Sequence, residues 1–187
     1  MEIRQPRLER AEEAVQAIIA AATAELLEHG VDSVTHRRVA ERANVALRST
    51  TYYFKSVKAL RREALKVSFA LAKKGRDALL ADLSNKTKAD LLELFIYLTY
   101  GTVEFELNQL SVTQQNVSMA SADPDYMDVM QQLQIDVEEA VEQLFVHFNF
   151  DFPADRAIVL LDGRIFEYVL SGGKTDIKER LRVDLGL

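Results

Sequence analysis

Tyr126, Met130, Leu133, Val137, Ala140, Leu144 and Phe148 step by threes and fours along the chain. On a helix that spacing lays one continuous apolar stripe over roughly six turns. A strand cannot use it, because strand side chains change face at every residue. A stripe this long must be covered, and the remaining sequence offers more of the same. Ile158, Leu161, Ile165 and Tyr168 or Val169 repeat the pattern after Pro153, and Val15, Ile18, Ile19, Ala22 and Leu26 carry it near the N-terminus. Gly30 follows that first segment as a C-terminal cap, so the spacing predicts a helix from Leu8 to His29. The three prolines, Pro6, Pro124 and Pro153, all fall where a helix can begin. In "SADPDYMDVM", Ser121 or Asp123 supplies a cap and acids fill the first turn, where the positive helix end favours them. "FNFDF" alternates with a period of two but is too short for a sheet, and reads as an aromatic-rich loop. The expected fold class is all-α.

The 187 residues suffice for a sizeable core, and 48% hydrophobic with 28% charged residues is ordinary for a folded soluble chain. The absence of cysteine excludes disulfides, thiolate metal sites and cysteine nucleophiles. No apolar run approaches the roughly 20 residues of a membrane span, and "MEIRQPRLERAEEA" lacks the apolar centre of a secretory signal. These features set the expectation of a soluble, cytoplasmic chain without membrane contact.

The net charge of −6 is unevenly spread. From Val34 to Arg62 there are eight basic residues (Arg37, Arg38, Arg42, Arg48, Lys55, Lys58, Arg61, Arg62) against one acid, Glu41, so this window is +7 and the rest of the chain −13. A basic patch on an acidic body suits a polyanionic partner at one end, although charge runs are more often solvated faces.

Inside that window, "THRRVAERANVALRSTTYYF" (35–54) reads as two short helices. Thr35 caps the first, whose inner face is Val39, Ala40 and Ala43. Asn44 suits a turn because asparagine tolerates the left-handed conformation. Val45 anchors the turn, and the second helix runs from Leu47 to Tyr53. Two short helices with alanine at a tight junction form the helix-turn-helix pattern, whose second helix enters the DNA major groove. Arginines serve there for phosphates and guanine edges, and Ser49, Thr50, Thr51, Tyr52 and Tyr53 are short or rigid donors for phosphate oxygens. A surface hairpin with ordinary charges accounts for the same residues, and the pattern alone leaves both readings open.

From about Ile18 to Leu60 the chain resembles the N-terminal DNA-binding domain of the TetR family of bacterial transcriptional regulators. The resemblance rests on an amphipathic first helix, Gly30, Thr35, Val39-Ala40, Ala43, Val45, the aromatic run ending in Phe54, and Leu60, in that order. It is most similar to the branch whose recognition helix ends in Thr-Tyr-Tyr/His-Phe, and it covers about a quarter of the chain. It implies an N-terminal three-helix domain (1–57) and a C-terminal helical bundle (58–187) for ligand binding and dimerisation. It also implies a repressor that binds a palindromic operator as a homodimer and is released by a small molecule. Carried over position by position, Arg37 matches an early contact of the first motif helix. Leu47, Arg48 and Ser49 match the reading end of the second, while Thr51, Tyr52 and Tyr53 match its phosphate-gripping end, and Lys58 is a further phosphate contact. With Thr35, Arg38 and Thr50 these form the candidate DNA-contact set. The chain departs from the family pattern at Arg48 and Asn44, where glycine is common, at Thr51, where tyrosine is usual, and at Val57, where lysine is usual.

Two sets are expected beyond that domain. Phe69, Phe95, Tyr97, Tyr100, Phe105 and Met119 are the candidate pocket lining, since aromatics with a few polar groups suit a small-molecule site. Val137, Val141, Leu144, Leu161, Ile165 and Tyr168 are the candidate dimer interface, with Gly163 permitting close approach. Both sets also read as plain core. Neither a metal nor a cofactor is expected: no Glu-x-x-His pair precedes His29, His36 or His147, and "SGGKT" (171–175) lacks the first glycine and the strand of a phosphate-binding loop. No catalytic group is recognisable. The alternative to a regulator is a helical interaction protein whose basic hairpin binds RNA or an acidic protein.

Overall fold

The computed structural model describes residues 5–107, 118 and 124–187; Met119 of the expected pocket lies outside them. Among the described residues there are eight α-helices and no strand: α1 (Gln5–His29), α2 (His36–Arg42), α3 (Leu47–Tyr53), α4 (Val57–Ala81), α5 (Leu91–Tyr100), α6 (Pro124–His147), α7 (Ala154–Leu170) and α8 (Ile177–Leu185). Single 3₁₀ turns at Val31–Ser33 and Lys88–Asp90 join α1 to α2 and lead into α5. The fold is all-α, as the periodicity requires. Gly75 leaves α4 uninterrupted, and the "FNFDF" segment is a turn after α6, with Asn149 at φ 50 and stacked Phe150 and Phe152.

The chain divides into two units. The first holds the described residues through Ala70 with the start of α6 as far as Val129; the second runs from Leu71 and takes up again at Met130 to the end. In the first, Ile18, Ala22 and Leu26 of α1, Val31, Val34, Val39, Phe54 and Leu60 are buried. Gly30 closes α1 at φ 82, its N–H donating to the Leu26 carbonyl at 2.9 Å, a conformation that costs a residue with Cβ. Tyr126 at the head of α6 is buried and its hydroxyl donates to the Lys58 carbonyl at 3.1 Å.

The second unit has its own core of α5, α6, α7 and α8, built on Phe95, Leu98, Val141, Leu144, Leu161, Leu181 and their neighbours. Val137, Val141, Leu144, Leu161 and Ile165, expected at a dimer contact, are buried within the chain's own core. Tyr168 is half buried, its hydroxyl donating to the Phe105 carbonyl at 2.8 Å. Periodicity marks the apolar face of a helix, and here that face is used internally. The apolar side chains left outside are others: Val159, Phe166 and Leu170 on α7, and Ile135 and Val146 on α6.

Candidate nucleic-acid interface

The helix pair at 36–53 is built from local chemistry. Thr35 caps α2, its Oγ1 accepting from the Arg38 N–H at 3.3 Å. After α2 the chain turns at Asn44, φ 52, and the Val45 N–H donates to the Ala40 carbonyl at 3.0 Å, which brings α3 back across α2. Thr50 lies on the inner side of α3 at 0% exposure, its hydroxyl donating to the Leu47 carbonyl at 2.8 Å and lying 3.4 Å from the His36 carbonyl of α2. Its place in the DNA-contact set is therefore corrected: it packs the motif and faces no ligand.

Opposite Thr50, α3 presents Leu47, Arg48, Thr51 and Tyr52, positions i, i+1, i+4 and i+5 of one exposed face. Leu47 is 52% exposed and Tyr52 69%, too much for side chains that serve a core. Tyr52 meets Tyr53 edge-on with ring centroids 5.0 Å apart, and the Lys55 ammonium stands 5.4 Å from the Tyr52 ring. Arg48 has no ion pair among the described residues. Ser49 and Tyr53 are partly exposed at the edges of this face, and Lys58 is exposed at the start of α4.

The other cations of the window divide differently. Glu25 of α1, nearly buried, pairs with Arg38 at 3.0 Å and Arg42 at 2.9 Å, and Arg42 also forks onto Glu28. The Arg42 hydrogen bond holds the Glu28 carboxyl below the usual carboxylate range. Arg61 donates to the carbonyls of Val34 at 3.0 Å and Asp32 at 3.1 Å. These contacts tie α2 to α1 and α4 to the connection between α1 and α2, so part of the basic charge serves the scaffold. Glu25 and Arg61 are functional supports that sequence spacing did not reveal, since their partners lie 13 to 29 residues away. Arg37 is exposed and lies 3.0 Å from Glu41 one turn on, a surface pair that a phosphate can replace. Burial lowers the pKa of His36, whose Nδ1 has no hydrogen-bond partner among the described residues.

Five of the six expected pocket residues lie among the described ones. Phe69 belongs to the first unit. Phe95 is fully buried in the second, its ring 5.6 Å from that of Phe145, so it is core and not lining. Tyr100 packs edge-on to Phe105 at 5.7 Å and donates to Asp162 at 2.6 Å. Burial, then the Asp162 charge, push the Tyr100 hydroxyl above its ordinary range, and burial raises Asp162. Among the described members of the set, only Tyr97 lines an open recess of about 230 Å³ in the second unit, beside Leu79, Lys86, Asp90, Glu93 and Val103. Among the described residues no group of three or more acids or histidines is arranged to hold a metal, and no helix is long and apolar enough to cross a membrane.

Comparison with known proteins places this geometry. Residues 18–64 match the model of the bacterial regulatory proteins of the tetR family. No curated protein matches the sequence. Among solved structures, a transcriptional regulator of Streptomyces coelicolor is similar at 23% identity, covering 91% of this chain and 95% of that one with a TM-score of 0.65. The multidrug binding protein EbrR, complexed with proflavin, is similar at 25% identity over 91% of this chain and 96% of that one, TM-score 0.66. A transcriptional regulator of Saccharomonospora viridis in complex with choline is similar at 20% identity over 94% of each chain, TM-score 0.67.

Proposed function

We propose that this chain, whose N-terminal domain is that of the tetR family of bacterial regulatory proteins, is a transcriptional repressor that binds an inverted-repeat operator as a homodimer and leaves it when a small molecule binds the second unit. The observation that carries this reading is the exposed face of α3. An α-helix about 10–12 Å across with its side chains, such as α3, fits a major groove about 12 Å wide. Arg48 offers a side-on pair of N–H donors of the kind that meets guanine O6 and N7. Leu47 supplies an apolar contact, and Thr51, Tyr52, Arg37 and Lys58 supply donors for phosphate oxygens at the rim.

One such motif reads few base pairs, and a second copy related by a two-fold axis doubles the site. Val159, Phe166 and Leu170 of α7 form an exposed stripe with Gly163, around whose Cα there is open space. Ile135 and Val146 of α6 add to the apolar surface. We assign the dimer contact to these residues in place of the buried seam. Regulation then requires a ligand that binds the DNA-competent and released forms with different affinity. The complexes of EbrR with proflavin and of the S. viridis protein with choline support a small-molecule role for this fold.

The test is a duplex-binding titration at several salt concentrations. A regulator's affinity for its operator falls steeply with salt, because each neutralised phosphate releases counterions, and exceeds that for unrelated duplexes by about a thousandfold or more. Equal affinity for all duplexes, or preference for single strands, refutes the operator reading and favours the RNA alternative.

A further inference from the structure

Two arginines in the second unit share one chemistry and differ in their surroundings. Arg164 of α7, 22% exposed, donates from Nε to Asp184 Oδ2 at 2.6 Å and from Nη2 to Asp184 Oδ1 at 2.7 Å. These two nitrogens form one edge of the guanidinium, whose parallel N–H bonds match the two oxygens of a carboxylate. The remaining terminal nitrogen, Nη1, reaches Glu167 at 2.8 and 2.9 Å. Arg76 of α4 is buried more deeply, at 6% exposure, and its Nε and Nη2 are both buried without a hydrogen-bond partner among the described residues. The unpartnered pair is the same edge.

The acids nearest Arg76 in charge terms are otherwise engaged. Asp136 of α6 accepts at Oδ1 from Gln132 at 3.1 Å, and Asp77 lies 3.5 Å from Lys73. Both favour the Arg76 charge through space, yet burial outweighs them and pulls its pKa down. Arginine does not neutralise itself by losing a proton, so the fold holds a buried cation with two parallel donors unused, a costly arrangement for stability alone. Leu79 and Leu80, one turn on along α4, and Leu133, one turn before Asp136 on α6, are partly buried against the core.

We propose that Arg76 binds the carboxylate of an organic acid, whose apolar body lies along Leu79, Leu80 and Leu133, and that such an acid is the effector of the second unit. The effector role rests on the regulator reading above; carboxylate binding does not. The proposed ligand class is opposite in charge to the proflavin and choline held by the similar structures.

The experiment uses the full chain as wild type, Arg76→Met and Arg76→Lys. Thermal unfolding and calorimetric titration are run with octanoate, benzoate and phenylacetate, with their neutral amides, and with choline. At least one carboxylate raises the wild-type melting temperature while its amide does not. Arg76→Met weakens that binding about 10- to 100-fold and, without additive, melts no lower than wild type. Arg76→Lys keeps the charge without the fork and falls between, which preserves the test should the methionine variant fail to fold. No response to any of the acids, equal response in Arg76→Met, or response to choline independent of residue 76 overturns the proposal. Specific duplex binding is measured on the same samples: its failure sinks the regulator reading and leaves carboxylate binding standing, whereas its success without acid binding sinks this proposal alone.

Discussion

Helices α3 and α7 each leave large side chains in solvent, and the two faces differ in kind. On α3 the exposed set is Leu47, Arg48, Thr51 and Tyr52, cationic and rich in donors; on α7 the large apolar side chains Val159, Phe166 and Leu170 are exposed, among the charged Asp155, Arg156 and Asp162. Apolar surface gains by leaving water, whatever covers it, so the α7 stripe suits a protein surface, a second copy above all. A rigid aromatic beside an arginine suits a surface of fixed charge and base edges. On the proposed reading the α3 face serves a polyanion and the α7 face a second copy, the two contacts that a dimeric DNA-binding protein needs.

Charge placed on the apolar face is the strongest way to break this contrast. Phe166→Glu is expected to leave the fold intact and to dissociate the dimer, losing about 2 kcal/mol or more per protomer; sedimentation shows a monomer at micromolar concentration and duplex binding collapses with it. The same substitution leaving a dimer of full affinity would remove α7 from the interface.

Next comes the polar face. Arg48→Ala is expected to cost about 1–3 kcal/mol of operator binding and to relax preference at a single base pair. Uniform weakening over all sequences would make Arg48 a phosphate contact instead.

Smaller effects separate scaffold from surface. Arg164→Met breaks the forks onto Asp184 and Glu167 and is expected to cost about 1–2 kcal/mol, discounted for partial exposure, with dimerisation unchanged. The Arg164 hydrogen bonds hold Asp184 below the usual carboxylate range. A depressed folded value stabilises the protein above the unfolded pKa, near 4, and that advantage fades as pH falls through the folded value. The gap in stability between wild type and variant is therefore full at pH 6 and shrinks in acid; a constant gap would mean that packing, not charge, holds α7 to α8. Thr50→Val is the smallest change: about 1 kcal/mol of stability from the lost hydroxyl bond, with duplex affinity within about twofold. A larger loss of affinity would return Thr50 to the contact surface.

The helix-turn-helix was legible because its signals are local. Thr35 as a cap and Asn44 at positive φ follow from the chemistry of those residues, and the bounds Leu47–Tyr53 agree with the structure. The exposed face of α3 was legible in all but Thr50, since residue type suggested a donor and only packing shows where it points. For the pocket and interface sets, only the apolar character of each helix face was legible. A 3.6-residue period identifies Val141 or Leu161 as apolar-facing but does not say whether the neighbour is the same chain or another. Arg76 was invisible for a related reason: an arginine reads as surface until its burial is known.

The central claim is that α3 reads a two-fold symmetric duplex. Selection of bound fragments from a pool of random duplexes by the purified wild-type protein tests it most directly. The expected result is one enriched inverted repeat with half-sites about one or more helical turns apart, centre to centre. Enrichment of no sequence, or of single-stranded fragments, contradicts the account.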